Sequence, residues 1–512
     1  MAAKTIFFTL LVALHFATHV AAQPGFNKVY RQYSTDDFAF VTSYSDTIYC
    51  FGTAYDTTIN PSPLQIHFVK LDSNGNILLS KLYKDSLNGY LSIDYSSGSI
   101  LKTTKGNFLF APTVFGRASV QLLQFNQNLD IVSIFEYPLS TNFVEFYDQI
   151  IEMPDGGFMI AGAAQRPNYK QDGFIRRVDQ FGNVLYFKYY GKYNKDENFR
   201  CLLKIDNNRY LAGGSNGPDL GNIYDIHAGL WVIDSNGLIT KTWIATQYPD
   251  LLTIMGLLPA SDGGFVAHGR RLLGVDAQGS RVQCCIMKFD STLQLQWIKG
   301  IGPYSSDNLG ITAFFDMIQT PDGNYLLAGQ RRPYDSPPTG NSKDWGGWLY
   351  KFSPEGDSIW ARADNAPAGL KPTGSFIYGG VGVLSSGSVV AGGPGDIDDL
   401  FHGWVVKVSP DGCLDSALCL ATAVHTPEVE AQTIKVFPNP ANTSITIEKA
   451  ENTHNLNIKI VNLASGRNVL QTFMPLGISN YTLDVSNLPS GVYVLFAGNS
   501  SMAQPIKLVI QH

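Results

Sequence analysis

Five arginines recur soon after the second short alternating run of a repeated unit: Arg166, Arg270, Arg271, Arg331 and Arg332. Tyr334 and Trp345 accompany the last two. Arginine set beside aromatic rings can hold carboxylates or stack on sugars, so these seven residues form the candidate binding set. The competing reading makes them surface charges paired with Asp219, Asp225 or Asp335.

A second candidate is acidic. Asp396, Asp398 and Asp399 precede His402 in the run DIDDLFH. Their hard oxygens suit Ca²⁺, although the spacing lacks the bidentate Glu that closes an EF-type loop. A solvated acidic loop is the competing reading. No other cofactor is implied.

Several patterns need no chemistry. The Asp-x-x-Gly stretches Asp72–Gly75, Asp179–Gly182 and Asp234–Gly237 are explained by an Asp capping its own turn and a Gly accepting positive φ. Cys413 and Cys419 lie close together in a loop-like stretch and are the expected disulfide. Cys50, Cys201, Cys284 and Cys285 sit in strand-like runs and read as small buried hydrophobes. No HExxH, GxSxG, P-loop or dinucleotide-binding glycine motif is present.

The surrounding chain must position these groups. Charged residues are only 16% of the 512, aromatics are 12%, and Gly (49) is abundant. That mix suits short strands and tight turns. A net charge of −6 argues against a nucleic-acid partner, which would call for a basic stripe. Residues 1–22 carry Lys4, an apolar run Ile6–Leu14 and small residues before Gln23, the pattern of a secretory signal peptide. No later run is long and apolar enough to be a transmembrane segment.

Repetition organises the rest. DGGFMIAG from Asp155 recurs as DGGFVAHG from Asp262, DGNYLLAG from Asp322, NNRYLAGG from Asn207 and SGSVVAGG from Ser386. KGNFLFAP from Lys105 and SDTIYCFG from Ser45 are weaker copies. The seven anchors are spaced by about 50 to 64 residues, within reach of propeller periods. Each unit reads as four alternating runs, A to D, with tight turns joining A to B and C to D. The last unit lacks a D run, and FNKVYRQY from Phe26 has the D pattern. The expectation is an all-β chain whose residues 23–419 form a seven-bladed β-propeller, closed by that N-terminal strand. The B–C and D–A connections are expected on one face, long and different in every blade, and binding residues concentrate on such loops. This repeat texture resembles the SBBP-type propeller repeats of secreted bacterial proteins.

Residues 420–432 read as a linker, and residues 433–512 as a small Ig-like β-sandwich. The ordered pieces VFPNPANTSITIE, IVNLASGR, LDVSNLPSGVYVL and IKLVI closely resemble the type A sorting domain of the type IX secretion system. The resemblance implies a Bacteroidota-type bacterium, Sec export, passage through the type IX machinery, and release or attachment at the outer-membrane surface. Pro438, Asn439, Pro440, Gly466, Leu488, Gly491, Tyr493 and Lys507 match its signature.

The functional expectation is a non-catalytic propeller binding glycan, peptide or protein through its long-loop face. The rivals are a polysaccharide hydrolase or lyase with acids around the channel, and a structural surface or matrix protein. Paired carboxylates at glycosidase separation would favour the hydrolase.

Overall fold

The computed structural model describes residues 25–55, 64–83, 90–92, 100–111, 113–115, 119–138, 144–165, 171–191, 196–217, 226–276, 279–305, 313–331, 345–414, 435–448, 456–462, 468–474, 480–497 and 504–512. Every element in them is a strand. The signal segment, the linker, Arg166, Arg332, Tyr334, Cys419 and Gly466 lie outside the described residues, as do Asp219, Asp225 and Asp335.

The third unit shows the plan. Its strands Val144–Glu152, Phe158–Gln165, Gln171–Val178 and Val184–Tyr190 pair antiparallel in chain order. Residues 100–138, 196–244, 251–305 and 313–364 repeat that order as separate four-stranded sheets. Residues 35–83 and 372–408 make two further units, joined in one nine-stranded sheet by a single parallel bridge, Asp36↔His402. Phe26–Tyr30 runs antiparallel along Leu400–Val408, from Phe26↔Lys407 to Tyr30↔Gly403. The N-terminal strand therefore supplies the D strand that the last unit lacks. The pairing groups most strands of residues 25–414 into seven units, numbered here from residue 35: six have four strands, the last has five because both Pro372–Phe376 and Gly380–Val383 pair with Val389–Ile397, and Tyr90–Ser92 pairs with Thr113–Phe115 apart from them.

Period-2 alternation welds these units into a ring, because each strand sends alternate side chains to opposite neighbours. Phe108 and Phe110 pack with the first unit, while Leu109 between them packs with the third. Phe158 and Ile160 face backward, and Met159 and Ala161 face forward. The same division runs through every seam to the last, where Val390 and Val405 of unit 7 meet Val41, Cys50 and Val69 of unit 1. Each such fully buried side chain contributes about 1.5–3 kcal/mol. The architecture is a β-propeller, a ring that covers most of its strand edges.

The tight turns follow from local chemistry. Asp72 accepts the backbone N–H groups of Asn74 and Asn76, both at 2.8 Å, and Gly75 takes φ 75°. Leu129 and Leu293 occupy the glycine's place in units 2 and 5 and carry the same left-handed φ, 59° and 64°.

These turns also bind neighbouring units together. Lys188 and Tyr190, on the D strand of unit 3, donate to the Asn236 and Gly237 carbonyls of unit 4 at 2.6 and 2.7 Å. Lys28 and Tyr30 of the N-terminal strand do the same to Asn74 and Gly75, at 2.7 and 2.8 Å. Lys81, Tyr137, Lys241, Lys299 and Arg362 make the corresponding bonds at the other five seams. One end of the ring is thus fixed at every seam.

The C-terminal residues form a separate fold. Lys435–Phe437, Ser444–Glu448 and Asn480–Asp484 make one sheet. Leu456–Asn462, Asn468–Met474, Gly491–Ala497 and Gln504–Ile510 make the other. Ile445, Ile447 and Leu483 from the first pack on Ile458, Ile460, Tyr493 and Leu508 from the second.

Candidate functional site

Alternation decides which candidate arginines can meet. On the strand Phe265–Asp276, Phe265 and Ala267 join the core toward unit 4, and Val266 joins the core toward unit 6. His268 and Arg270 share the face of Val266, and the His268 ring lies edge-on to Phe314 of unit 6. Arg271 belongs to the opposite face and pairs with Asp250 at 2.7 Å. Adjacent in sequence, Arg270 and Arg271 serve different seams.

Arg331 lies at the seam between units 5 and 6. It ends the strand Tyr325–Arg331, whose Tyr325 and Leu327 pack against unit 5. Its guanidinium lies over the Trp348 ring, 5.9 Å from the centroid. Trp348 stacks on Phe314, with centroids 4.5 Å apart and planes 24° apart. The Phe314 backbone N–H donates to the thiol of Cys284, and Cys284 is the cross-strand partner of Arg270.

The Nε of Arg331 and the indole Nε1 of Trp348 are buried without a hydrogen-bond partner. Arg270 forms no hydrogen bond or ion pair among the described residues. Burial lowers its pKa, an effect that the nearby Cys284 opposes and Arg200 reinforces. Burial lowers the pKa of Arg331 as well. An unpaired buried donor costs about 1–3 kcal/mol, more when charged. Trp345 is half-buried, next to Gly346, the strand partner of Arg331. Its carbonyl accepts the Phe376 N–H at 2.9 Å. Sequence reasoning missed Trp348, because a tryptophan inside GGWLYKF reads as core.

Three buried acids elsewhere have basic partners, while Asp37 accepts the Thr53 N–H and hydroxyl at 2.9 and 2.6 Å. Asp36 meets His402 at 2.8 Å, Glu145 meets Arg176 at 3.1 Å, and Asp148 meets Arg200 at 3.0 Å. Asp148 and Arg200 are the extra residues of β-bulges at equivalent places in two first strands, which aim them at one another.

The acidic run is not gathered around a point. Asp398 and Asp399 carry φ of 56° and 63° and form the two-residue turn between Ile397 and Leu400. Paired left-handed residues are what a tight hairpin requires. Asp396 accepts the Thr373 hydroxyl at 2.8 Å, Asp398 pairs with Arg31 at 3.1 Å, and His402 turns to Asp36. Among the described residues no three His, Cys, Asp or Glu groups come together to hold a metal ion. This hairpin also corrects the expectation of a long B–C connection in every unit. Unit 5 is likewise short, its strands pairing out to Asp276↔Gly279.

Cys413 is disulfide-bonded, and the other four described cysteines are buried free thiols. Two open clefts of about 520 and 400 Å³ lie at the tight-turn end and share Met153, Pro154 and Asp155. In their walls Arg177 pairs with Asp155, and Glu152 accepts the Thr104 N–H.

In the C-terminal fold the Asn439 amide donates to the Lys507 carbonyl at 2.7 Å and accepts the Val509 N–H at 2.9 Å. Pro438 and Pro440 flank it, each after a cis bond. Leu488 and Tyr493 are buried in the core, and the Tyr493 hydroxyl donates to the Pro489 carbonyl at 2.7 Å. Gly491 pairs with Ile510, and the Lys507 side chain is exposed.

Residues 435–511 match the family model of the secretion system C-terminal sorting domain. The chain therefore ends in a type IX sorting domain, which directs secretion to the cell surface, with attachment there or release. Among curated proteins no relative matches. Solved structures of similar shape include the extracellular domain of a putative hybrid two-component system from B. thetaiotaomicron (12% identity, 95% of this chain and 58% of that one, TM-score 0.42). Others are the β-propeller domain of the Trilobed protease from Pyrococcus furiosus (9%, 73% and 94%, 0.42) and a Penicillium chrysogenum alpha-L-arabinanase complexed with arabinobiose (11%, 61% and 93%, 0.40). The chain spans little more than half the length of the first. At this level of similarity none of them bears on activity.

Proposed function

We propose that this type IX-sorted propeller is a non-catalytic extracellular binding protein, which holds glycan, peptide or another surface protein at the ring end opposite the tight turns. One observation carries the reading: the two ends of the ring are built differently. At one end the C–D turn of every unit is short and latched to a neighbour. At the other, the paired strands part at Tyr55↔Leu64, Asn216↔His227 and Arg331↔Gly346, leaving unequal connections on a rigid scaffold. Such connections can vary without disturbing the ring, which is why binding groups gather on them.

The ion pairing of three buried acids supports binding over hydrolysis. Asp36, Glu145 and Asp148 each belong to an ion pair, whereas a glycosidase needs two carboxyl groups facing each other across the scissile bond.

The test is to probe the secreted full chain on glycan and surface-protein arrays, beside the variant Trp345→Ala/Arg331→Gln. The reading expects a retained ligand that the variant loses. An empty array, or new reducing ends in a retained polysaccharide, would overturn it.

A further inference from the structure

We propose that the seam closing the ring is an acid-operated clasp: protonation of His67 releases the N-terminal strand Phe26–Tyr30, with Gln32 and Tyr33, while the other seams hold. This goes beyond the binding role assigned above and does not depend on it.

The other D strands are tied to their sheet partners by a C–D turn, whereas Phe26–Tyr30 meets Leu400–Val408 from the far end of the chain. Of its five residues only Tyr30 is buried. The strand continues into Gln32 and Tyr33, and these two residues cover His67. The imidazole is wholly buried. Its Nε2 lies 3.1 Å from Gln32 Oε1 and 3.0 Å from the Ser80 hydroxyl, which donates to the same Gln32 oxygen at 2.9 Å. An amide oxygen only accepts, so Nε2 carries the proton. The Tyr33 ring meets the imidazole edge-on with centroids 5.2 Å apart, and the Phe38 ring lies 6.0 Å away. Nδ1 is buried without a partner.

An imidazole in that setting stays neutral. Protonation would add a donor at Nδ1 and a charge among aromatic rings, with no counter-ion to offset it. The acids of the seam are engaged elsewhere. Asp36 takes the Gln32 N–H at 2.7 Å and His402 at 2.8 Å, Asp37 takes Thr53, and Asp398 pairs with Arg31. Tyr30 and Cys50, in the core of the same seam, are held neutral by burial. Burial lowers the His67 pKa to about 4, against about 6.5 once the ring is freed. Acid therefore favours the released state, increasingly as pH falls from 6.5 toward 4. Burial shifts Asp36 in the opposite sense, and Asp36 and His402 sit on strands that remain in place. His268 is also held neutral, but its strand is paired on both sides in mid-chain, with no free end to let go.

The experiment labels the thiols of the secreted full chain with a dipyridyl disulfide, which reacts in acid, and locates the label by peptide mass. Cys50 lies in the closing seam with Tyr30 and Val405, whereas Cys201, Cys284 and Cys285 are buried at other seams. Measured against the unfolded chain at each pH, Cys50 is expected to react about 50-fold faster at pH 4.5 than at pH 7, with the other three unchanged. His67→Gln keeps a neutral donor and should abolish the acceleration. Gln32→Glu, at an exposed position, gives the imidazolium a carboxylate at Nε2. It should slow Cys50 at pH 4.5 by about 10-fold, and it serves where the His67 variant fails to fold. Cys50 protected down to pH 4.5, acceleration retained in folded His67→Gln, or Gln32→Glu labelling as fast as the parent would each overturn the proposal. So would all four thiols reacting together, which would mark general unfolding.

Discussion

Asp36 and His402 stand 366 residues apart in the chain and meet at 2.8 Å, both buried, where the first unit joins the last. The pair occupies the single parallel bridge of the join. Burial drives the Asp36 carboxyl toward its neutral form, and the hydrogen bond from His402 opposes that. Removing one partner strands the other in a low-dielectric site. His402→Leu should destabilise the chain by about 3 kcal/mol. Asp36→Asn keeps the shape and removes the charge, and should cost about 1 kcal/mol. Urea denaturation of the two variants checks the order, and equal losses would contradict it.

Two buried histidines set an acid limit. Burial lowers the pKa of His67 to about 4 and that of His268 to about 3, while the unfolded chain titrates near 6.5. Below pH 6.5 the unfolded state gains protons that the folded state refuses, so stability falls as pH falls. The slope is about 1.4 kcal/mol per pH unit for each histidine between roughly pH 6 and 4, and it ends once the folded groups titrate. His268→Gln should flatten the dependence by one such increment. An unchanged slope in denaturation curves at pH 4.5, 5.5 and 6.5 would contradict the assignment.

The latch between units predicts a graded loss. Tyr190→Phe deletes only the bond to the Gly237 carbonyl and should cost about 1 kcal/mol. Gly237→Ala places a methyl 2.8 Å from the Tyr186 ring, on a backbone at φ 73°, and should cost more. Thermal melting that ranks them the other way would contradict the role given to these turns.

Much of this was legible in residue order. The repeats, their Asp-x-x-Gly turns and the closing strand FNKVYRQY are local patterns, and local patterns fix strands and turns. The latch is less legible, and Tyr83 of SKLY does not join it. NKVY, SKLY and FKYY share a lysine followed two residues later by tyrosine, with no hint in one copy of what the pair touches. Arg270 and Arg271 illustrate a different limit. Alternation says they face apart, but not which face carries Asp250. Asp398 and Asp399 read as an acidic run because composition hides that a two-residue turn also favours aspartate. The unpaired Trp348 indole depends on a packing contact with the next unit, and no spacing within GGWLYKF encodes that.

The sorting domain gives a cellular prediction. Asn439 clamps the last strand through the Lys507 carbonyl and the Val509 N–H. Asn439→Ala should loosen that strand and lower the amount of chain reaching the cell surface and medium. Immunoblots of fractionated cells check this. Undiminished delivery would show that the clamp is dispensable for sorting.

The central claim, that binding occurs at the long-loop end of the ring, is met most directly by hydrogen exchange on the full chain with and without its retained ligand. Protection is expected in peptides covering Phe265–Asp276, Tyr325–Arg331 and Gly346–Phe352, with the turn after Met153 unchanged. Protection confined to that turn and to Asp206–Arg209, at the latched end, would contradict the account.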